Sequence, residues 1–188
     1  MLTRDEAWAL LAERDFAPNQ IHHALESEAV LRGLADRLGQ DAELWGLTGL
    51  LHDVDFDVTA ETPERHGLLG GDLLEGRLPA EAVQAIRAHN HEMNGADPPR
   101  TPLDFALRCG ETVTGLVSAT ALIRPTGMDG LKPKSLKKKM KDKRFAANVR
   151  RDVVRECEQL GLELGEFLQI AIDAIAPLAD EVGLGARG

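Results

Sequence analysis

The chain has 188 residues, enough for one domain with its own core and too few for two domains of ordinary size. With 43% hydrophobic and 28% charged residues, and no apolar run near the roughly 20 residues that cross a bilayer, the composition excludes a disordered tail and a membrane-spanning protein. The net charge of −9 is uneven: residues 124–155 carry twelve basic side chains against three acids, a positive island on a body of −18 that suits a local anion partner better than wholesale binding of nucleic acid.

Thr3 followed three residues on by Glu6 is a capping-box pattern that opens a first helix running to about Phe16. Early acids, with no basic, apolar and small-residue layout, argue against a secretory leader and for a cytoplasmic protein. Pro18-Asn19 restarts the chain into a second helix ending near Gly39, and a third runs from Asp41 through the apolar stretch Leu47 to Leu51. Val54 to Ala60, acidic and β-branched, reads as a loop. Thr62-Pro63 has the pattern of an N-cap with Pro at the first helical position, and Thr101-Pro102 repeats it with Asp104 completing a box, so a helix is expected after each. Between them a helix from Pro79 to about His91 closes at Asn94-Gly95 and the Pro98-Pro99 turn. After Pro125 come a glycine-containing loop, a short lysine-rich helix, a helix from about Phe145 to Leu160 and a last one from about Glu163 to Val182. Cys109 and Cys157 lack C-x-x-C spacing, so both are expected to be reduced and buried. With no Tyr, 4% aromatics and no long alternating run, strand signals are nearly absent, and the expected fold class is all-α.

Helical position separates the six histidines. His23 shares a stripe with Ser27, Val30, Leu34 and Leu38 and points inward, whereas His22 lies on the side of Glu26. His52-Asp53 stands where an apolar helix breaks, a place from which imidazole nitrogen and carboxylate oxygen can reach one divalent ion. His66 is expected on a helix face with Leu69 and Leu73, and His89 near the inner face of Ala82, Val83 and Ile86, while His91 turns outward. Several inward imidazoles cost desolvation in an ordinary core; one shared metal centre would satisfy them together.

These residues carry a resemblance. His23, LLHDVD around His52-Asp53, HGLLGGDLL at 66–74 and AIRAHN at 85–90 resemble the HD superfamily of metal-dependent phosphohydrolases, nearest its small HDIG-type hydrolases. TVTGLVSATALIRP at 112–125 and SLKKKMKDKRFAANV at 135–149 are similar to further stretches of that group. The resemblance implies an HD-domain helical bundle over residues 1–188, with the basic segment 124–155 and the C-terminal helices packed on it. It implies one or two divalent ions (Mn, Fe, Ni, Zn or Mg) on His23, His52 and Asp53, with a fourth position in the helix after Pro102. That position resembles the family's A-D-E-L-T-G-L stretch, and here Glu111 replaces the usual Asp. His66 and His89 match the histidines that complete two-metal sites, where Asp53 would bridge the ions and be central to catalysis. Many members carry Lys two residues after the His-Asp pair; here Asp55 stands there.

The lysines offer a replacement: on a helix over 135–143, Leu136 and Met140 bury one face while Lys137, Lys138 and Lys141 project from the other and could hold substrate phosphates. The expected activity is hydrolysis of a phosphate ester or anhydride of a nucleotide-like small molecule by metal-activated water. Neither a membrane nor nucleic acid is expected as a partner. Two alternatives stay open: a dinucleoside polyphosphate hydrolase, and a non-catalytic metal-containing module that binds RNA or an acidic protein.

Overall fold

In the computed structural model, which describes residues 1–187, the chain is a succession of helices. α1 (Arg4–Ala12), α2 (Pro18–Leu38) and α3 (Ala42–Leu51) lead into the short α4 (Phe56–Thr59) and α5 (Leu68–Leu74). α6 (Ala80–Ala88), one turn at α7 (His91–Asn94) and the long α8 (Pro102–Leu122) follow. The basic segment contributes α9 (Pro133–Lys141) and α10 (Arg151–Val154), and α11 (Leu164–Ile175) closes the order. Among the described residues the only β pairing is an isolated bridge between Glu75 and Leu78, so the all-α class holds.

Local rules account for the long elements. Thr3 and Glu6 form a complete capping box, as do Thr101 and Asp104, and Gly39 ends α2 in the left-handed conformation. α2 and α3 pack most closely. A Cβ on Gly49 would lie 2.7 Å from the carbonyl oxygen of Ser27, so only glycine lets the backbones approach this far. α8 lies against α2, α3 and α6, and α11 packs on α2, α8 and α9. Val30, Leu31 and Leu34 of α2, Leu107, Leu116 and Val117 of α8 and Phe167 and Leu168 of α11 belong to one buried apolar cluster. Cys109 and Cys157 are free and buried within it.

Five segments differ from the sequence expectation. α1 stops at Ala12, because Glu13 to Asp15 offer nothing apolar to bury and Pro18 forces Ala17 into an extended conformation. The expected loop at 54–60 contains α4, whose Thr59 hydroxyl donates back to the Asp55 carbonyl at 2.8 Å. No regular helix begins at Pro63: Pro63–Arg65 is a 3-10 turn without a side-chain cap, His66 is extended, and α5 starts only after Gly67 at φ +81°. The expected helix over 145–160 is a turn to Arg150, then α10 and a 3-10 segment, Arg155–Leu160. There the Arg151 guanidinium donates to the carbonyls of Phe145, Ala146 and Val149, and Ala146 itself sits at φ +45°. Pro177, which lacks an N–H, converts the end of the last expected helix to a 3-10 turn, Ala176–Leu178.

Candidate metal centre

The packing of α2, α3 and α8 brings His23, His52-Asp53 and Glu111 together, and the chain between α4 and α7 adds His66 and His89. His23, His52 and Asp53 offer three ligand atoms within 4.8 Å of one another, and Asp53, His66 and His89 do the same, so Asp53 belongs to both groups. Its Oδ1 lies 3.1 Å from Nε2 of His52, 3.1 Å from Nε2 of His66 and 3.5 Å from Nε2 of His89. Oδ2 is 3.8 Å from His23 Nε2, and Glu111 Oε2 approaches that nitrogen at 3.9 Å.

Each imidazole is aimed by a partner on its far nitrogen. His23 Nδ1–H donates to the Thr114 hydroxyl at 2.9 Å, because that hydroxyl spends its own proton on the Glu111 carbonyl at 2.7 Å. His52, at the C-terminal end of α3, donates from Nδ1 to the Gly49 carbonyl at 2.8 Å, satisfying an acceptor the helix leaves open. His89 donates to the Ile86 carbonyl at 2.6 Å, and His66 to Oδ1 of buried Asp55 at 2.8 Å. All four Nε2 atoms therefore face the centre, with His23 and His52 3.2 Å apart and His66 and His89 3.1 Å apart.

Facing lone pairs at such distances repel unless a proton or a metal ion lies between them. Donors bound at about 2.1 Å to one ion, with bonds near a right angle, are about 3 Å apart, so this donor set fits a divalent ion. The electrostatics agree. Burial pushes the His52 imidazole down to about 3, keeping it neutral. Burial opposes charge on Asp53, but His52, His66 and His89 outweigh it and hold the carboxyl well below the usual carboxylate range. Burial likewise opposes charge on His66, yet the carboxylates of Asp53 and Asp55 raise it to about 10, so without an ion the cluster keeps a proton where a cation could be held. Glu111 is raised by burial, and the Thr112 hydroxyl donates to it.

Sequence reasoning missed the supports. Asp55, noted only as the absence of a lysine, accepts from His66 and from the backbone N–H groups of Gly67 and Gly70 at 2.9 and 2.7 Å, which sets His66 in place without the helix expected there. Arg108, fully buried on α8, donates to the His89 carbonyl at 2.8 Å and pairs with Glu92 and Glu156 at 2.7 Å each. Its signal was legible: a charged residue between Leu107 and Cys109 on a buried face. Glu92 also binds Arg150 at 2.9 Å, and Arg150 lines a cavity of about 190 Å³ over Asp53, His66, His89 and Glu111. Lys137, Lys138 and Lys141 do not line it; Lys137 and Lys141 face a separate groove of about 640 Å³ with Arg151 and Arg155, on the other side of α10. Glu26, placed by helical position on the side of His22, is buried beside His23, accepts from Ser118 at 2.7 Å, and is pushed up to about 7 by burial.

Comparison with known proteins agrees with this geometry. Ribonuclease Y of Desulfotalea psychrophila is 31% identical over 101 residues, 53% of this chain and 19% of that protein. Ribonuclease Y of Protochlamydia amoebophila is 35% identical over 79 residues, 42% of this chain and 15% of the relative. The chain thus spans less than a fifth of the length of these relatives. Their shared name does not support the sequence expectation against nucleic acid as a partner. No helix among the described residues is long and apolar enough to cross a membrane. The HD domain family matches residues 21–142, well over half of the chain and the whole stretch that holds the histidine cluster, and the chain belongs to that family.

Proposed function

We propose that the protein is a metal-dependent phosphohydrolase that cleaves a phosphate ester or anhydride of a nucleotide-like substrate. One observation carries this reading: four imidazoles, each fixed through Nδ1, turn Nε2 toward a single shared carboxylate, Asp53. His23, His52 and Asp53 would hold one divalent ion and Asp53, His66 and His89 a second, with Glu111 beside the first. A bound ion supplies a lowered water pKa and neutralises charge on phosphoryl oxygens.

The chain's own residues do the rest. Asp53 is the catalytic carboxylate through its place between both groups. Asp55 and the Ile86 carbonyl keep His66 and His89 in one tautomer. Arg150, held by Glu92 and Asp152, presents a guanidinium to the cavity over the cluster, where it can orient phosphoryl oxygens. A phosphate seated there lies across α10 from Lys137 and Lys141, so the lysines meet only a substrate that carries further phosphates beyond the first.

Elemental analysis of purified protein, followed by assays with p-nitrophenyl phosphate, bis(p-nitrophenyl) phosphate and a nucleotide panel, tests the reading. The expected result is one to two divalent ions per chain and hydrolysis of at least one ester, abolished by a chelator. Metal-loaded protein that cleaves none of these substrates would overturn it. The relatives' name adds a short single-stranded RNA to the panel, and the basic segment 124–155 supports including it.

A further inference from the structure

Beyond His23, the seam between α2 and α8 opens into a second cavity of about 350 Å³, within the size range of small-molecule pockets. His23, whose Nε2 faces the metal cluster, lines this cavity together with its Nδ1 partner Thr114, so one imidazole stands between the cluster and the cavity. Its polar side is made by Glu26, Ser118 and His22, and apolar surface comes from Leu122 and Leu184. Glu26 stands one helical turn beyond His23 on α2, a step that places their Cβ atoms about 5–6 Å apart.

Glu26 is the unusual member. Only 4% of it is exposed, and Ser118 is its one side-chain partner, donating to Oε2 at 2.7 Å. Oε1 has no partner and faces the cavity. That oxygen is not sealed in the core and can be reached from the cavity, where a ligand carrying N–H or O–H donors would complete it. No lysine or arginine lines this cavity among the described residues, so it does not suit a phosphate. Its chemistry suits a flat, neutral body with apolar faces and a donor-bearing edge.

We propose that this cavity is the nucleoside subsite of the same centre, with the Glu26 carboxyl accepting N–H or O–H donors from a nucleoside whose phosphate lies at the Asp53 cluster. The proposal rests on the phosphohydrolase reading for the phosphate but not for the nucleoside.

Calorimetry with adenosine, guanosine, cytidine and uridine on chelator-treated protein tests the subsite with no metal and no turnover. At least one nucleoside is expected to bind. Glu26→Gln, which keeps the shape and replaces an acceptor by a donor, should weaken that binding at least about tenfold. Ser118→Ala, and Leu122→Trp at the half-exposed rim, should also weaken it, and they serve as probes should the Glu26 variant misfold. In the metal-loaded enzyme, Glu26→Gln should lower the kcat/KM ratio of the matching 5′-monophosphate to p-nitrophenyl phosphate by a similar factor. Ribose 5-phosphate competing as well as the nucleotide would assign the donors to the sugar; weaker competition would assign them to the base. No nucleoside binding to wild type, or equal binding by Glu26→Gln and Leu122→Trp, overturns the subsite. Failure of wild type to cleave p-nitrophenyl phosphate or any other ester instead overturns the phosphohydrolase reading and leaves the nucleoside result standing.

Discussion

The two halves of the histidine cluster are built by different means. His23 and His52 stand on α2 and α3, long and closely packed helices, and neutral partners turn their rings: a threonine hydroxyl and a main-chain carbonyl. His66 follows a 3-10 turn, and His89 caps the C-terminal end of α6. A buried carboxylate orients His66; the Ile86 carbonyl turns the His89 ring, but the His89 main chain is gripped by a buried arginine that is itself held by two glutamates. A half framed by helix packing keeps its geometry as long as the core stands, whereas a half framed by charges depends on each charge keeping its partner.

The largest effect should come from the residue the halves share. Asp53→Asn keeps the shape but removes the charge that faces all four imidazoles, so metal should be lost from both groups and activity should fall by at least about 10³-fold, or about 4 kcal/mol. Elemental analysis of the variant checks this. Full metal content would show that the imidazoles alone hold the ions and that Asp53 is not the common ligand.

The halves separate at Arg108. Arg108→Met fits the volume but strips Glu92 and Glu156 of their buried partner and the His89 carbonyl of its donor. Because both glutamates retain some solvent contact, the loss in urea-unfolding free energy should lie near the lower end for a broken buried pair, about 3 kcal/mol. Metal bound to the His23 and His52 half should survive. Equal loss from both halves would make the cluster one cooperative unit and end the distinction.

Asp55→Asn probes the same half more gently. Replacing the carboxylate that orients His66 should weaken the ion at Asp53, His66 and His89 by about 10- to 100-fold and leave the other half within about twofold, read by metal titration. There is also a pH signature without metal. His66 has a folded value of about 10 against an ordinary 6.5, so the stability it contributes is complete below about 6.5 and is lost as pH rises toward 10. In chelated protein, Tm measured across that window should fall less steeply in Asp55→Asn than in wild type.

The same contrast explains what was legible in the sequence. Helix periodicity and capping boxes located α2, α3 and α8, and with them the inward turn of His23 and the break at His52. His66 lay beyond that method, because a 3-10 turn and a left-handed Gly67 stand where a helix face was expected, and its orientation comes from Asp55, eleven residues away. The segment 145–150 escaped for a related reason: a single arginine, Arg151, consumes the carbonyls that a helix would have used, and composition does not reveal such an interaction. Glu26 was placed on the side of His22 by helical position alone, and its contact with Ser118 comes from α8, which the periodicity of α2 does not reveal.

The smallest effect is expected at the lysines, where two basic regions can be set against each other. Arg150 lines the cavity over the cluster and is braced by Glu92 and Asp152, while Lys137 and Lys141 line the neighbouring groove and Lys138 lines neither. For p-nitrophenyl phosphate, with one phosphate, the combined Lys137→Ala, Lys138→Ala and Lys141→Ala change should alter kcat/KM by less than about threefold, since exposed charges at that remove are screened by salt. A substrate with several phosphates can cross α10 into the groove, so its KM should rise, with the rise shrinking as salt is added. For a single-stranded RNA, every phosphate that the variant no longer neutralises should flatten the slope of log affinity against log salt by about 0.7. A large fall in kcat/KM with p-nitrophenyl phosphate would bring the lysines to the reacting phosphate itself, and no change with either substrate would make them a solvated face of α9.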